Sequence, residues 1–356
     1  MSAHGRTEGA VLREGHSVRS LLADALVGAR FLPVWIFAGI LMLIAAFIAS
    51  AALQSTSWSF VLPYMTVLAI AALGQMLVIM HAGIDLSTPG VMFLGGYLIV
   101  GVGHHSNGRL WMGILACLGV GVLVGLVNGT FVGIFQLNPL IVTLAVGYVV
   151  GAEGLHYANG LAEAEVPPRL SDFAQNRPLS ISAVFWTGLA ITIAVALLLR
   201  YTAPGRRFQA VGANPRAAWM AGVRVRAHVV FAYTAAGTLY AVAAVLLAGV
   251  RVSVDPAFGA SYLLAPIAAV VIAGASLAGG LASATSTWVA AFALTLLNQM
   301  LLILGYSVGW QFIVFGAAII VGMLLSGDRI ASLLGRLLRP RAAPTRIAPA
   351  LDQDTS

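Results

Sequence analysis

The residues in this chain that could do chemistry fall into two sets, and the first set lies inside or beside long apolar stretches. Its members carry amide, hydroxyl or carboxylate groups: Gln75, Asp85, Ser87, Asn128, Asn138, Glu153, Asn298, Gln299 and Gln311. These groups could line a pathway for a hydroxyl-rich solute, because each can exchange hydrogen bonds with hydroxyls. Hydrogen bonding between helices is the alternative for all of them except Asp85 and Ser87.

Asp85 is the member of this set whose burial would cost most. A carboxylate at the centre of a membrane helix costs about 2.5–3.5 kcal/mol, so Asp85 should face a polar pocket, backbone donors or the membrane interface. It lies between two apolar runs, two residues before Ser87. Both side chains could equally satisfy free N–H groups where the next helix begins. A pathway role and a capping role are therefore both open.

The second set lies in a polar stretch from Arg200 to Arg226 that carries six arginines. Asn214 and Pro215 predict a helix start within it, because Asn caps the first N–H groups and Pro fits the first helical position. The helix should run to about residue 221 and end at Gly222, since Gly suits the residue after a helix.

This short helix would present Arg216, Trp219 and Met220 on a rod in solvent. Arg and Trp are enriched where proteins bind partners. We therefore predict that the stretch docks on a soluble protein, with a solvated connector as the alternative. The residues assigned to docking are Gly212, Asn214, Pro215, Arg216, Ala218, Trp219 and Gly222.

Three further pairs place a short polar residue before proline: Thr88-Pro89, Asn138-Pro139 and Asp255-Pro256. By the same capping argument each predicts a helix start. All three lie at the boundaries of apolar runs, where simple capping is the favoured interpretation.

No enzyme site emerges from the remaining residues. A phosphate-binding P-loop requires a lysine, and the chain contains none. The adjacent pair His104 and His105 cannot share one helix face, no Ser/His/Asp arrangement is visible, and Cys117 is the single cysteine. We predict that the chain is not an enzyme and holds no metal or cofactor of its own.

The composition is that of a membrane protein, with 60% hydrophobic and 9% charged residues. Ten apolar runs lie near residues 32–53, 60–81, 90–103, 111–135, 140–156, 181–199, 228–250, 262–278, 281–304 and 310–325. A perpendicular span needs about 20 residues, so the runs 90–103 and 262–278 are short. We expect broken helices there, packed within protein or lining a cavity.

The arginines predict the orientation. Four precede residue 31, six lie in the central stretch and five follow Gly327. Positive charge beside spans marks the cytoplasmic side, and ten spans bring all three groups to that side; eight would also do so. The predicted organisation is a cytoplasmic segment 1–31, a transmembrane domain 32–326 with a cytoplasmic loop 200–227, and a disordered cytoplasmic tail 327–356.

Several phrases together resemble the permease subunits of bacterial ABC importers for monosaccharides of the ribose, xylose and arabinose kind. These phrases are Gly83-Ile-Asp-Leu-Ser87, Val127-Asn-Gly129, Asn138-Pro-Leu-Ile-Val-Thr-Leu144, Gly212-Ala-Asn-Pro-Arg-Ala-Ala with Ala-Gly222, Ile267-Ala-Ala-Val-Val, Gly274-Ala-Ser-Leu-Ala-Gly-Gly280 and Trp310-Gln311. They occur in the expected order across roughly residues 60–320.

The resemblance implies an all-α, type II importer-like permease of about ten helices in the bacterial inner membrane. It implies a dimer with a second permease copy or a homologous permease, two cytoplasmic ATP-binding subunits that hydrolyse ATP, and a periplasmic sugar-binding protein. Gly212–Gly222 would be the coupling helix. The family usually has a second Gly before Gly83, where this chain has Ala82, and Val-Gly after Ser87, where it has Thr88-Pro89.

Other functions stay open. Related permeases serve nucleosides, branched-chain amino acids or autoinducer-2, and a hydroxyl-lined interior favours a sugar only weakly. A secondary transporter driven by protons or sodium would need intramembrane ionisable residues, for which only Asp85 and Glu153 qualify. A membrane enzyme or receptor is the remaining class, and the chain offers neither a catalytic arrangement nor a sizeable soluble domain.

Overall fold

The computed structural model describes residues 31–103, 106–161 and 164–325. The predictions for residues 1–30, for His104 and His105, and for the tail from residue 326 onward lie outside the described residues. The α-helices are α1 Leu32–Ile48, α2 Ser55–Ile79, α3 Thr88–Gly103, α4 Leu110–Gly129, α5 Pro139–Asn159, α6 Pro168–Gln175, α7 Ala183–Tyr201, α8 Ala203–Ala213, α9 Pro215–Met220, α10 Val225–Arg251, α11 Ala265–Ile272, α12 Ala284–Ile303 and α13 Val308–Leu325.

The described residues also contain four short helical turns, and no described residue belongs to a β-strand. The turns are Ser50–Leu53, Thr130–Ile134, Pro178–Ser180 and Ala260–Tyr262. Every apolar run predicted from the sequence overlaps a helix. The all-α class is therefore confirmed.

Among the residues that the structure describes, six helices are long and apolar enough to cross a membrane. They are Ser55–Ile79, Leu110–Ile134, Pro139–Asn159, Ala183–Tyr201, Val225–Arg251 and Ala284–Ile303, and three apolar helices are shorter: Leu32–Ile48, Thr88–Gly103 and Ala260–Ile272. A helix that is apolar on every side is either deeply buried or embedded in lipid. The chain is a multi-pass membrane protein.

Helices α2 and α10 form the centre of the bundle. The second half of α2 is buried without interruption from Met65 to Ile79. Glycines let α10 approach α4 closely, because a side chain at Gly121 or Gly125 would collide with the α10 backbone at Gly237 or Tyr233. Close approach through small residues is how membrane helices gain packing energy. The outer helices α4, α5 and α7 leave most of their apolar surface exposed.

The two ends of the bundle differ in charge. At one end α7 finishes, α8 and α9 fold, and α10 begins, so the six arginines from Arg200 to Arg226 lie there. We call this the arginine-rich end. The start of α2 and the ends of α10 and α12 lie at the opposite end.

Two breaks interrupt the helical core, at residues 80–87 and 273–283. Helix α3 has 16 residues, or roughly 24 Å at 1.5 Å per residue. The segment Gly83–Ser87 before it is not helical. Helix α11 has only 8 residues and leads into the second break. The helix predicted to be broken in run 262–278 is broken, because α11 ends at Ile272, whereas run 90–103 lies within one short, continuous helix that follows the first break.

The proline pairs give three correct predictions and one wrong one. Helix α3 begins at Thr88, and Asn138 and Asn214 cap α5 and α9 with their side chains. Asp255-Pro256 starts a turn instead of a helix: Asp255 accepts hydrogen bonds from Ala257 N through Oδ1 and from Phe258 N through its carbonyl. Gly259 follows with φ 83°, and this left-handed backbone stops helix growth.

Candidate functional site

A cavity of about 570 Å³ lies between α2, α10, α11, α12 and α13, toward the opposite end. Its walls contain Phe60, Val61, Tyr64, Leu68, Leu247, Arg251, Gly259, Ser261, Tyr262, Ala265, Leu294, Thr295, Asn298, Gln299, Leu302, Ile303, Gln311 and Phe315. The structure therefore brings together three residues of the predicted pathway set, namely Asn298, Gln299 and Gln311. A volume of this size is typical of small-molecule sites.

The cavity wall combines neutral polar groups with aromatic faces. Besides the three amides, hydroxyls come from Tyr64, Ser261, Tyr262 and Thr295. The buried Oδ1 atom of Asn298 has no hydrogen-bond partner among the described residues. A buried acceptor without a partner costs about 1–3 kcal/mol, so a hydroxyl that reached Asn298 would recover part of this cost. The wall suits a neutral, hydroxyl-bearing solute.

One charged side chain, Arg251, lines this cavity. It ends α10, and its Nη2 atom lies 2.5 Å from Oδ2 of Asp255. Its guanidinium carbon also lies 6.0 Å from the centre of the Phe258 ring. The two side chains are 32% and 41% exposed, so this ion pair is partly solvated and leaves the cavity close to neutral. Sequence reasoning missed Arg251, although it stands alone at the end of an apolar run, outside the three arginine groups.

A second part of the pathway set forms a buried cluster near the arginine-rich end. The N–H and the Oγ–H of Ser87 donate to Asp85 Oδ1 over 2.9 and 2.6 Å. Asn128 Nδ2 donates to Ser87 Oγ over 2.9 Å. All three side chains are at most 1% exposed, so in this conformation they hold the non-helical segment Gly83–Ser87 against α4 and do not line the cavity.

Gln75 completes this cluster by holding the backbone of Asp85. With its amide nitrogen turned toward Tyr240, Gln75 donates to the Tyr240 hydroxyl over 2.9 Å and to the Asp85 carbonyl over 3.0 Å, and its Oε1 accepts from Asp85 N over 3.2 Å. The cavity reaches Leu68 on the same helix, and seven residues separate Leu68 from Gln75, about 10 Å along the helix axis. The predicted pathway set is thus divided into two groups along α2.

Asn138 and Glu153 join neither group. Asn138 is exposed and accepts a hydrogen bond from Leu140 N over 2.9 Å as the cap of α5. Glu153 is exposed on α5 and does not line the cavity. The structure therefore gives neither residue a place beside the other candidates.

The predicted docking helix is present as α9. Asn214 Oδ1 accepts from Ala217 N over 3.0 Å, and Gly222 follows with φ 79°. The helix buries Ala218 and leaves Trp219 and Met220 72% and 76% exposed. Such exposure of two large apolar side chains beside arginines is typical of a protein-binding surface.

The docking stretch carries one sign of charge. Residues 200–227 contain six arginines and no Asp or Glu, and Pro215 and Arg216 are exposed. Gly212, by contrast, is buried at the end of α8. A partner surface that fits this stretch should be acidic, with an apolar groove for Trp219.

Within the part of the chain that the structure describes, no group of three or more His, Cys, Asp or Glu side chains could hold a metal ion. The single cysteine, Cys117, is buried and unpaired. The candidate site therefore consists of the cavity, the buried cluster and the docking helix.

Comparison with known proteins identifies the family of the chain. Residues 57–323 match the family described as branched-chain amino acid transport system / permease component. The fructose import permease protein of Rhizobium meliloti is 31% identical over 274 residues, which cover 74% of this chain and 76% of that protein. The ribose import permease protein of Escherichia coli (strain K12) is 30% identical over 274 residues, or 76% and 85% of the two chains.

A third relative, the autoinducer 2 import system permease protein of Salmonella paratyphi B, is 27% identical over 283 residues, or 80% of this chain and 81% of that protein. No solved structure gives a significant match. The family match covers most of the chain, and the named relatives are permease components of import systems. The chain therefore belongs to the permease-component family named for branched-chain amino acid transport systems.

Proposed function

We propose that this chain is the membrane-spanning permease subunit of an ATP-driven importer, and that it moves a monosaccharide or related polyol from the periplasm to the cytoplasm. The observation that carries the proposal is the neutral, amide- and hydroxyl-lined cavity around Asn298, Gln299 and Gln311. The names of the fructose and ribose relatives point to the same class of solute.

The cavity chemistry separates a sugar from an amino acid. A zwitterionic amino acid needs one partner for its ammonium and one for its carboxylate, whereas the Arg251 guanidinium is already paired with Asp255. A polyol needs hydroxyl, amide and aromatic partners, and the wall supplies all three kinds. Burial of polar groups without partners disfavours the wrong solute more strongly than a change in pocket size does.

The proposed topology has ten crossings in the bacterial inner membrane with the arginine-rich end in the cytoplasm. Helices α1–α5, α7, α10, α12 and α13 supply nine of them, and α11 with the break at residues 273–283 supplies the tenth. The six arginines of residues 200–226 then obey the rule that positive charge stays inside. The transmembrane domain covers residues 32–326, with residues 1–31 and 327–356 in the cytoplasm.

We assign one kind of soluble partner to each end of the helical bundle. Two ATP-binding subunits bind α9 in the cytoplasm and hydrolyse ATP, because this chain lacks the lysine that a P-loop requires. A solute-binding protein delivers the sugar at the opposite end, where the cavity lies. A second permease copy, or a homologous permease, covers part of the exposed apolar surface.

Alternating access supplies the mechanism. Partners can shift the permease between outward- and inward-facing states only through contacts that differ between those states. ATP binding draws the two ATP-binding subunits together and displaces α8 and α9. In the outward-facing state the sugar enters the cavity, and the buried segment Gly83–Ser87 separates it from the cytoplasm.

Reconstitution in liposomes tests this proposal. The permease, its ATP-binding subunits and its solute-binding protein are assayed with labelled D-ribose, D-xylose, L-arabinose, D-fructose and L-leucine. We expect ATP-dependent uptake of a sugar, a strong loss of uptake in Gln311→Ala, and wild-type uptake in Gln54→Ala, because Gln54 is exposed and outside the cavity. Uptake of L-leucine alone, or uptake by the permease without ATP on a proton or sodium gradient, would refute the proposal.

A further inference from the structure

The end of α8 lies directly on a backbone carbonyl of the first break. A Cβ atom added at Gly212 would come within 2.5 Å of the Met80 carbonyl oxygen. Met80 is the residue that ends α2, and the last carbonyls of a helix lack partners inside the helix. Because no side chain separates the two backbones, a displacement of α8 cannot be absorbed by a change of rotamer.

The second break meets the same carbonyl. Gly280 N donates to Met80 O over 3.0 Å, and this bond satisfies one of the free carbonyls of α2. Gly279 has φ 91°, and a Cβ atom there would lie 3.2 Å from Ala82 N and 3.3 Å from Gly212 O. The backbones of α8, of the first break and of the second break are therefore in mutual contact.

One pair of side chains, His81 and Phe208, packs beside this backbone contact. The ring of His81 lies 4.2 Å from the ring of Phe208 on α8, measured between centroids, with 39° between the ring planes. Phe208 is 3% exposed. Its burial fixes α8 against the residue that follows Met80.

Each break leads to one of the two groups of the candidate site. From Met80 the chain passes through Ala82 into the segment that holds Asp85. From Gly280 it passes to Ser283, whose Oγ accepts from Ser286 N at the start of α12. Helix α12 carries Asn298 and Gln299, two of the three amides that line the cavity. The contact at Met80 thus joins the docking stretch to both groups.

We infer that Gly212, Gly279, Gly280 and the Met80 carbonyl form a positioning junction that transmits movement of α8 and α9 to both breaks at once. The inference rests on the proposed function and deepens it, because it names the residues through which the ATP-binding subunits act on the pathway. Close-packed backbones have two discrete arrangements rather than a continuous range, so the junction switches both breaks together. None of its residues lines the cavity.

The test measures sugar molecules taken up per ATP hydrolysed in the reconstituted importer. Gly212→Ala pushes α8 away from Met80, and we expect this ratio to fall about tenfold, within the range of coupling between distant sites. Gly113→Ala is the matched control, because its Cβ atom would lie 2.8 Å from the Ile99 carbonyl oxygen at the opposite end. This control creates a similar backbone collision away from the junction and should keep the wild-type ratio.

A second variant covers the case in which Gly212→Ala does not assemble with its partners. Phe208→Leu keeps an apolar side chain on α8 and removes the ring contact with His81, and we expect a smaller fall in the same ratio. The inference is overturned if either assembled variant keeps the wild-type ratio, or if Gly113→Ala lowers it as much as Gly212→Ala. Absence of ATP-driven sugar uptake in the wild type would instead refute the proposed function.

Discussion

Arg251, the last residue of α10, is paired with Asp255 over 2.5 Å beside the cavity. Asp255 lies four residues later, in the connection that leads to α11. The pair makes this part of the wall nearly neutral although it contains a full positive charge. It also explains why a single arginine can sit beside a site for an uncharged solute. The pair with Asp255 uses Nη2 of Arg251, and a guanidinium has further N–H groups that can donate to a hydroxyl.

The pair gives the first prediction. Arg251→Gln leaves the Asp255 carboxylate without its partner, and we expect the KM for sugar uptake to rise several-fold. Arg251→Gln combined with Asp255→Asn removes both charges and should recover part of the loss, because charged neighbours are coupled. Uptake measured over a range of sugar concentrations checks both variants, and an unchanged KM in the single variant would remove Arg251 from the site.

The docking helix gives the second prediction. Arg216→Ala combined with Trp219→Ala should abolish sugar uptake while the permease still inserts in the membrane, because truncating interface Trp and Arg residues typically costs 2 kcal/mol or more of binding, roughly 30-fold in affinity. ATPase assays and uptake assays on the same vesicles measure the loss of coupling. Trp111→Ala is the control, since Trp111 is 56% exposed at the opposite end. Normal coupled uptake in the double variant would refute the docking role.

The backbone at Ala82 gives the third prediction. Ala82 has φ 58°, which costs a residue with a side chain roughly 1–2 kcal/mol. Ala82→Gly removes that strain, but the greater entropy of the unfolded chain costs about 0.4–1 kcal/mol of stability, so we expect a net gain between zero and about 1.6 kcal/mol. Thermal unfolding in detergent measures it.

A helical alanine provides the comparison for this variant. Ala268→Gly, within α11, should lower stability by about 0.5–1 kcal/mol, because glycine weakens a helix interior. A lower melting temperature in Ala82→Gly than in the wild type would contradict the left-handed backbone at residue 82. The sequence pattern pointed to this residue because related permeases usually have a glycine there.

The buried cluster gives the fourth prediction. Asp85→Ala removes the acceptor for Ser87, and each buried donor left unpaired costs about 1–3 kcal/mol, so the variant should be strongly destabilised. Asp85→Asn keeps an acceptor oxygen and should retain both stability and most uptake. A stable Asp85→Asn variant that cannot transport sugar would show that the carboxylate acts on the pathway rather than on packing.

Sequence reasoning predicted the elements that depend on local chemistry. Asn214 and Gly222 mark the ends of α9 through capping and backbone preference, and both positions are correct. The turn after Asp255 was predicted as a helix because the effect of Gly259, four residues later, was not weighed against the capping signal. Local patterns of this kind compete, and the tertiary environment decides between them.

The candidate site itself could be predicted only in part. Three of the nine residues predicted for the pathway line the cavity, and the sequence did not indicate that four others form a buried cluster or that Asn138 and Glu153 lie apart from both groups. That division depends on contacts between residues far apart in the chain, such as Gln75 with Tyr240 or Gly280 with Met80. The periodicity of one sequence carries no information on such pairs.

The most direct test of the account is the side of the membrane on which the docking stretch lies. In a Cys117→Ala background, Ala213→Cys and Leu179→Cys each place one thiol at an exposed position, because residue 213 is exposed at the arginine-rich end and Leu179 is 83% exposed at the other. A membrane-impermeant maleimide applied to intact cells should label residue 179 at once, and residue 213 only after the cells are permeabilised. Labelling of residue 213 in intact cells would contradict the account, because no cytoplasmic ATPase could then reach α9.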